Sequence, residues 1–454
     1  MTDPDVLIVG AGPAGLAAAC EIRRSGLSVE IVEQRSSIGG AIYRQPVAGV
    51  EALPQARAVQ DRWRSLSAEF AAGGVPVRFA CVFLGIDGAG KVLVEDRSAG
   101  MVRQLVVRAV IVAVGAVEKI EPRPGWQLAG ITTAGGLQVM MKETGRPPAG
   151  RVLLAGSGPL LMAIAAQMTA LGNPPVAIIE AGAPLRRLGR GLLLASHTGL
   201  LKEALGYLWT VRRARVPWLR GTQVRAISRT QGGIRALVSD GRNRETVFWV
   251  DRIGLHDGIR PNDFGLPPEA AGSATSPLIL HAGDCREALG AEAAIADGRR
   301  AAARAIRSLT GKSSSSSHSI GKFRRAQAIL SDLFAPAGMG ADDRLMTLPD
   351  ETVLCRCENR TIGDLKRLCG VRDPLTGREV KHNGRFAMGA CQGRFCAAAT
   401  AQLMARLRPD LASPGPKDLT GQRWPIRPVS IAALVAGTDQ TDTILPDSKT
   451  TKET

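Results

Sequence analysis

The stretch that decides the fold is DVLIVGAGPAG, at residues 5–15. Its first half, Asp5–Val9, is a short apolar run of the kind that forms a buried parallel strand. Its second half, Gly10-Ala11-Gly12-Pro13-Ala14-Gly15, has the spacing Gly-x-Gly-x-x-Gly, and a helical pattern follows to about Ser25. Strand, glycine loop and helix in this order predict the start of a βαβ unit whose loop binds phosphate.

The three glycines of this first glycine loop have different roles. In order, they permit the tight turn, let the backbone approach a pyrophosphate, and let the helix pack closely on the strand. A second strand is predicted at Val29–Val32, and Glu33 follows it, 18 residues after Gly15, with Gln34 beside it. A carboxylate in this place accepts hydrogen bonds from ribose hydroxyls, so the sequence predicts a dinucleotide site.

A second unit of the same kind begins at Val152–Ala155 and ends with a strand at Val176–Glu180. Its second glycine loop is Gly156-Ser157-Gly158-Pro159-Leu160-Leu161, with Leu161 in the place of the third glycine. A leucine there is expected to hold helix and strand farther apart, and Glu180 favours an unphosphorylated ribose. Three interpretations stay open: a site for NAD, a site for another adenine nucleotide such as ATP, or a structural remnant.

Two further segments distinguish FAD from NAD at the first loop. They are the strand Val110-Ile111-Val112-Ala113-Val114-Gly115-Ala116 and the strand Leu278–Asp284, which ends in Gly283-Asp284. With these segments, residues 1–310 resemble the glutathione-reductase-like flavoproteins, which have two dinucleotide-binding domains. The resemblance implies that both segments complete an FAD site, that Asp284 holds the ribityl chain, and that Gly39-Gly40 is the turn near the flavin.

Four cysteines near the C-terminus point to a metal centre. Cys355 and Cys357 form a Cys-x-Cys pair, Cys391 and Cys396 form a Cys-x4-Cys pair, and 33 residues separate the two pairs. A [2Fe–2S] cluster needs two thiolates for each iron, which these pairs supply. Structural zinc usually takes pairs spaced two to four residues apart, so the spacing favours the cluster over zinc, with free thiols as the third alternative.

The cysteine segment resembles the bacterioferritin-associated-ferredoxin-like [2Fe–2S] domain. With the flavoprotein part in front of it, nearly the whole chain resembles the FAD-containing alpha subunit of the opine oxidase (octopine and nopaline) family. Relatives of that family include proline and hydroxyproline dehydrogenases and hydrogen cyanide synthase. The resemblance implies a hetero-oligomer in which a beta subunit with its own flavin oxidises an amine or amino acid, and it leaves open a further small subunit.

Composition narrows the classes of partner. The net charge is +17, but aromatic residues make up only 4% of the chain, so few platforms for base stacking exist. We therefore expect no nucleic-acid partner, and an Arg-rich surface that is either solvated or faces an acidic subunit or anionic substrate. We also expect no signal peptide, no membrane span and a cytoplasmic location, where cysteines are reduced or metal-bound.

The predicted fold class is α/β: a flavoprotein with two dinucleotide-binding domains and a small helical C-terminal [2Fe–2S] domain. The predicted boundaries are an FAD-binding domain at residues 1–120 and 272–310, a second nucleotide-binding domain at 121–271, a linker and helix at 311–349, the [2Fe–2S] domain at 350–410, and a Pro-rich segment with a disordered tail at 411–454.

The sequence contains no convincing set of catalytic acid and base residues. Among the five histidines, His256 has no evident partner, and His281 is expected to pack near the flavin. The catalytic residues are therefore left unassigned, and an electron-transfer subunit of an amine or imino-acid dehydrogenase is the favoured function. The alternatives are a stand-alone NAD(P)H-dependent flavin reductase, a hydrogen cyanide synthase subunit, and a non-catalytic assembly subunit with zinc.

Overall fold

The computed structural model of the chain describes residues 3–53, 55–187, 189, 198–312, 319–336, 341–370, 375–411, 415–421 and 425–438. The serine run at 313–317, predicted to be a linker, lies outside the described residues. Of the predicted Pro-rich segment and disordered tail at 411–454, residues 439–454 also lie outside them, and residues 431–438 form a helix. Within these ranges, no helix is both long enough and apolar enough to cross a membrane.

The first unit is built on a five-stranded parallel sheet in the order β18-β7-β1-β2-β3. Its strands are β1 (Val6–Val9), β2 (Val29–Val32), β3 (Val77–Arg78), β7 (Ala109–Val112) and β18 (Leu278–His281). Helices α1 (Pro13–Arg24), α2 (Arg57–Gly73) and α6 (Ala291–Thr310) pack on it, and β4 (Cys81–Ile86), β5 (Val92–Asp96) and β6 (Met101–Leu105) form an antiparallel sheet. Strands β1, β2 and β7 are buried along their whole length, as the continuous apolar runs predict.

The second unit repeats this plan with the strand order β12-β11-β10-β16-β9. Its strands are β9 (Ile131–Thr133), β10 (Val152–Gly156), β11 (Ala177–Glu180), β12 (Trp218–Arg220) and β16 (Arg252–His256). Helices α3 (Ala134–Thr144), α4 (Pro159–Ala170) and α5 (Thr198–Arg213) accompany it, with an antiparallel sheet of β13 (Thr222–Thr230), β14 (Gly233–Asp240) and β15 (Glu245–Val250). A two-stranded antiparallel ribbon, β8 (Ala116–Glu118) with β17 (Ile259–Pro261), connects the two units.

The C-terminal part begins with α7 (Gly321–Phe334), which packs near Leu201 of the second unit, and α8 (Ala341–Thr347), which packs on the cysteine module that follows. The cysteine module, residues 350–411, contains β19 (Val353–Cys355), β20 (Arg360–Thr361), α9 (Ile362–Cys369), α10 (Gly377–Gly384) and α11 (Ala397–Leu407). Two short helices follow, α12 (Pro416–Thr420) and α13 (Ile431–Thr438). Helix α13 packs on the first unit, where Ala433 joins a buried cluster with Val82 and Val102. The Pro-rich segment therefore folds back onto the flavoprotein part.

Candidate functional site

The first glycine loop has the geometry that its spacing predicts. Gly10 has a φ of +105°, and a Cβ atom there would lie 2.6 Å from the carbonyl oxygen of Ala113. A Cβ atom at Gly15 would overlap the Gly10 carbonyl oxygen, so only glycine permits α1 to pack this closely on β1. At Gly12 the space is open, since the nearest atom to an added Cβ is Gly40 Cα at 3.9 Å. The backbone at Gly12 is therefore accessible to a ligand at the helix N-terminus.

The acid after the second strand lies beside this loop. Glu33 is buried, and its Oε2 accepts a hydrogen bond of 2.8 Å from the Ala11 N–H while its Oε1 accepts one of 3.0 Å from the Arg35 N–H. The side chain of Gln34, which was predicted with Glu33, is exposed. Glu33 thus has the place of a ribose-binding carboxylate, and Gln34 lies beside it at the surface.

The remaining predicted residues of the first site converge on the same loop. The Gly39 N–H donates to the Ala11 carbonyl over 2.8 Å, and a Cβ at Gly40 would lie 3.1 Å from Gly12 Cα. On the other side, a Cβ at Gly283 would lie 2.6 Å from Ala14 Cβ. At both places where the chain closely approaches the first glycine loop, the residue is a glycine. Because no side chain is present there, room is left for a cofactor at the loop.

Asp284 supports the turn that leads into α6. Its Oδ1 accepts hydrogen bonds from the N–H groups of Leu289 and Gly290, at 3.0 and 3.1 Å. Burial raises the pKa of this carboxyl, although the two backbone hydrogen bonds oppose the change. Asp284 therefore fixes the start of α6 through one carboxylate oxygen, and a ribityl hydroxyl would be bound through the other.

Sequence reasoning missed Asp297, which is buried within α6. Its Oδ2 accepts hydrogen bonds from the Gly283 N–H at 2.8 Å and from Arg286 Nε at 2.9 Å, and its Oδ1 accepts one from Arg300 Nε at 2.7 Å. Burial alone would raise the pKa of Asp297, but the hydrogen bonds and charge of Arg286 outweigh it and lower the pKa. The signal in the sequence was an acid on the Ala-rich face of a helix, where a charge requires partners.

The first site fits an adenine dinucleotide with a flavin. Gly12 offers open backbone at the N-terminus of α1, and Glu33 lies at the carboxyl end of β2. Glycines at 39, 40, 115 and 283 all have a positive φ, a conformation that side-chain-bearing residues rarely adopt. These residues would hold the pyrophosphate and ribose of FAD.

The second glycine loop differs from the first in its surroundings. Gly156 has a φ of +145°, and a Cβ there would overlap the His256 carbonyl oxygen. Glu180 is 1% exposed and accepts hydrogen bonds from the N–H groups of Gly158 at 3.2 Å and Gly182 at 2.9 Å. Burial raises the pKa of Glu180 to about 7, because the hydrogen bonds to it offset only part of the desolvation.

His256 has a partner that the sequence did not reveal. Its Nδ1 lies 2.8 Å from Glu118 Oε1, and both side chains are largely buried below the second glycine loop. Glu118 also accepts a hydrogen bond of 2.9 Å from the Gly135 N–H at the start of α3. The expectation that His256 has no partner is therefore wrong, because β8 and β16 bring together residues that are 138 apart in the chain.

A cavity of about 630 Å³ opens beside this loop. The second glycine loop, His256 and the ends of α7 and α8 line it, together with the guanidinium groups of Arg123, Arg225 and Arg344. Two of these cations already have carboxylate partners, since Arg123 pairs with Asp257 and Arg344 with Glu121. Apolar surface exceeds polar surface in the lining of the cavity, and its charged residues are four cations (Lys119, Arg123, Arg225 and Arg344) and two carboxylates (Glu121 and Asp257).

The cysteine module brings the four predicted ligands together as two pairs. Cys355 shares a side-chain hydrogen bond with Cys396, and Cys357 shares one with Cys391, so each pair joins one cysteine from each loop. The first pair is buried, Cys391 is half-buried and Cys357 is exposed. The hydrogen bond from Cys396 lowers the pKa of Cys355, and the same bond raises the pKa of Cys396.

These thiols do not form a single group around a common point. Across the described residues, no set of three or more His, Cys, Asp or Glu side chains lies close enough to hold one ion. The donor chemistry nevertheless fits two irons, because two thiols from each loop face each other across the module. Cys355, Cys357, Cys391 and Cys396 are the residues that would hold such a cluster. Cys369 is buried in the apolar core that also contains Cys355 and Cys396.

The cysteine module is attached next to the first site through the β8–β17 ribbon. The Asn262 N–H donates to the Gly115 carbonyl over 3.1 Å, two residues beyond Arg260, whose guanidinium donates to the Arg394 carbonyl. Arg394 in turn lies over the ring of Phe264 at 5.1 Å. A few residues of β17 and its following turn therefore connect the predicted flavin loop with the loop that carries Cys391 and Cys396.

A second attachment passes through Trp126, which is fully buried. Its Nε1 donates to the Val353 carbonyl over 2.6 Å, and the Arg356 guanidinium lies 5.1 Å from its ring centroid. Arg356 is also close enough to Cys357 and Cys391 to interact with them electrostatically. Burial lowers its pKa, and the neighbouring Cys357 and Cys391 act in the opposite direction.

Fold and first site define a flavoprotein with two dinucleotide-binding units. The family model described as "Pyridine nucleotide-disulphide oxidoreductase" matches residues 4–278, more than half of the chain. The chain belongs to this family of flavin-dependent oxidoreductases, and within it to the family of the opine oxidase A subunits. The A subunit of opine oxidase from Agrobacterium tumefaciens (strain Ach5) is 31% identical over 95% of this chain and 91% of the relative.

Two further similarities are informative. Hydrogen cyanide synthase subunit HcnB of Pseudomonas protegens is 28% identical over 94% of this chain and 97% of its own length. Among solved structures, L-proline dehydrogenase from P. horikoshii superposes with a TM-score of 0.60 at 18% identity, over 95% of this chain and 79% of that chain. This structural likeness establishes the fold alone.

Proposed function

We propose that this chain is the FAD- and [2Fe–2S]-containing electron-transfer subunit of a hetero-oligomeric amine or imino-acid dehydrogenase. Its relatives are named as subunits of opine oxidase and hydrogen cyanide synthase, and both similarities span nearly the whole chain. The partner we propose is a beta subunit with its own flavin that oxidises an opine, proline or hydroxyproline. A further small subunit is compatible with this assembly, and the proposed location is the cytoplasm.

The observation that carries the proposal is the short link between the two predicted cofactor sites. Gly115, at the first site, is hydrogen-bonded to Asn262, and Arg260 is hydrogen-bonded to the backbone between the two cysteines Cys391 and Cys396. A subunit that relays electrons needs its redox groups in neighbouring parts of the fold. This link supports such an arrangement.

The chain's own residues have supporting roles in this function. FAD accepts two electrons as a hydride or stepwise, and a [2Fe–2S] cluster carries one electron at a time. Gly12 and the N-terminus of α1 bind the pyrophosphate, Glu33 binds the ribose, and Asp284 with Asp297 fixes the turn before α6. The thiolates of the cysteine module bind iron, and the buried Trp126 contact holds the module against the second unit.

The partner, and not this chain, is proposed to carry the substrate chemistry. Of the three histidines within the described residues, His382 lies in α10 of the cysteine module. The other two have partners: His256 is paired with Glu118 below the second loop, and His281 Nε2 lies 2.9 Å from the Pro267 carbonyl. Neither is disposed as a free base at the first site. A glycine-oxidising hydrogen cyanide synthase complex is the alternative assembly, supported by the similarity to HcnB.

A stand-alone NAD(P)H-dependent flavin reductase is the second candidate function. It is favoured by one observation, the cavity beside the second glycine loop, which a mere structural remnant would not require. If the chain is a stand-alone reductase, NADH should rapidly bleach the flavin of the isolated chain. On the relay proposal, reduction should require both an amine and the beta subunit.

Anaerobic purification with and without the beta subunit tests the proposal. We expect a flavin spectrum, about two irons per chain, and a rhombic EPR signal after reduction with dithionite; amine oxidation should occur with the complex only. Cys391→Ser should lose iron and keep flavin, while the matched Cys81→Ser, at a buried cysteine outside the module, should keep both. Full dehydrogenase activity from the isolated chain, or zinc in place of iron, would contradict the proposal.

A further inference from the structure

The C-terminal end of α7 lies directly on the second glycine loop. The hydroxyl of Ser157, the middle residue of Gly156-Ser157-Gly158, donates a hydrogen bond to the carbonyl of Phe334, the last residue of α7. Two residues later, Pro336 forms an isolated antiparallel bridge with Gly182. We call residues 334–336 the wall, because they cover the carboxyl ends of β10 and β11.

The wall lies where the adenosine of a nicotinamide dinucleotide would bind. In a βαβ dinucleotide unit the ribose hydroxyls meet the acid that ends the second strand, which is Glu180 here. Gly182 follows Glu180 by two residues, and a Cβ atom on Gly182 would lie 2.5 Å from the Phe334 carbonyl oxygen. Backbone therefore packs against backbone, and no layer for a ribose remains between Gly182 and the wall.

The charge at the C-terminal end of α7 also disfavours a dinucleotide at the second loop. The C-terminal end of a helix carries a partial negative charge and carbonyl groups that have no partner within the helix. The end of α7 directs these carbonyls toward a loop that, in a dinucleotide site, binds a pyrophosphate. The Arg187 guanidinium donates to the Asp332 carbonyl in the last turn of α7, so this helix end is attached to the second unit at a further point.

Among the residues that the structure describes, none covers the matching residue of the first unit in this way. Arg35 follows Glu33 by two residues, as Gly182 follows Glu180, and the Arg35 side chain is 45% exposed. The two units therefore differ where a dinucleotide's adenosine binds, not only at the third glycine position. The cavity beside the second loop is bounded by Phe334 and Pro336, so any ligand entering there contacts the wall.

We propose that Phe334–Pro336 is a specificity element that excludes nicotinamide dinucleotides from the second unit. This inference rests on the proposed function. A relay subunit receives its electrons from its partner, and a second unit that NAD(P)H cannot enter keeps NAD(P)H from acting as a competing electron donor. Among the three interpretations of this unit, the wall removes the NAD site and also the site for another adenine nucleotide such as ATP, because both ligands would place an adenosine against the wall.

Calorimetric titration of the purified flavin-loaded chain with ADP-ribose and with NADH tests the wall. We expect no saturable binding of either ligand up to about 1 mM, the upper end of ordinary KM values. In the double variant Ser157→Ala/Pro336→Gly, which removes the hydroxyl contact and loosens the bridge to Gly182, ADP-ribose should bind at least about tenfold more tightly. Saturable NADH binding to the unaltered chain would overturn the proposal.

The matched control is Arg325→Ala, an exposed residue on the same helix, which should behave like the unaltered chain. Hydrogen exchange at residues 332–335 of the unaltered chain provides a second readout if the double variant does not fold: protection unaffected by ADP-ribose supports the wall, and protection changed by it contradicts the wall. Because these measurements need no amine and no partner, an absent beta subunit leaves their outcome unchanged. If NADH does bind, the wall proposal fails, but the proposed relay function is still tested separately by amine oxidation with the complex.

Discussion

The two glycine loops of this chain share a pattern and differ in what surrounds them. At position 15 of the first loop even a methyl group would overlap backbone, whereas the equivalent Leu161 has a complete side chain in the core. Gly12 has an ordinary φ of −78°, whereas Gly158 has a φ of +124°. The first loop is open at Gly12, and the second is covered by the wall. The fingerprint alone therefore identifies a fold unit, and the residues around it decide whether a dinucleotide binds.

The largest effect is expected at the third position of the first loop. In Gly15→Ala the new methyl group overlaps the Gly10 carbonyl, so α1 must move away from β1. We expect a loss of stability of about 3 kcal/mol, at the upper end for overpacking, and a chain without flavin. Urea unfolding and the visible flavin absorbance measure the two effects.

Leu161→Ala is the control at the equivalent place in the second unit. It should cost about 2–5 kcal/mol through a cavity in the core, but the flavin should stay bound. Normal flavin content in Gly15→Ala would show that close helix–strand packing is not what distinguishes the loops.

Substitution of the middle glycines should affect flavin affinity in the first loop and stability in the second. Gly12→Ala has room and an allowed φ, so the fold should persist while flavin affinity falls at least about tenfold, or roughly 1.4 kcal/mol. Gly158→Ala forces a side chain into a φ of +124°, so it should cost about 1–3 kcal/mol of stability and leave flavin content unchanged. Flavin titration and urea unfolding of both variants measure these two effects. Equal flavin loss in the two variants would contradict the distinction between the first and the second loop.

A smaller effect is expected from the charge of Glu180. Its pKa of about 7 lies above the ordinary value of 4.5, so the folded state binds the proton more tightly than the unfolded chain does. The corresponding stability is present below the unfolded pKa and is lost as pH rises through 7. Glu180→Gln cannot ionise at this position. The difference in unfolding free energy between this variant and the unaltered chain should therefore shift by about 2–3 kcal/mol in favour of the variant as the pH rises from about 5 to 8.

Urea unfolding at several pH values measures this difference. Glu180→Asp is the matched control that keeps the charge, and it should keep the pH dependence as well. A stability difference that does not vary with pH would mean that Glu180 is ionised in the folded chain throughout.

The smallest effect concerns the hydroxyl between the second loop and the wall. Ser157→Ala removes one neutral hydrogen bond to the Phe334 carbonyl, which contributes about 1 kcal/mol. Thermal unfolding should shift by a few degrees at most, whereas Ser67→Ala on the surface of α2 should leave it unchanged. A larger shift would mean that the wall supports the whole second unit.

Several parts of the site followed from sequence, because they depend on local rules. Gly10, Gly15 and Gly283 lie where backbone approaches backbone, and only glycine satisfies that requirement. The acids Glu33 and Glu180 end their strands as the βαβ pattern predicts, since parallel strands share one carboxyl edge. The spacing of the four cysteines predicted two thiol-bearing loops, and these loops do face each other.

Other features needed the tertiary structure. His256 finds Glu118, and Asp297 finds the Gly283 N–H, only after the chain has folded, because these partners are far apart in sequence or hidden on a helix face. The cross-loop pairing of the cysteines was equally beyond the sequence. No periodicity encodes which side chains meet across different elements.

The sequence by itself determined two βαβ units, their glycine loops and a four-cysteine segment, because each is specified by residues near one another in the chain. Only the tertiary structure decided that the end of α7 lies on the second loop, and that the β8–β17 ribbon joins the first site to the cysteine module. Ser157 and Phe334 are 177 residues apart, and Arg260 and Arg394 are 134 apart. Contacts at such separations result from the packing of complete units, where burial and hydrogen bonding across the whole fold select the arrangement.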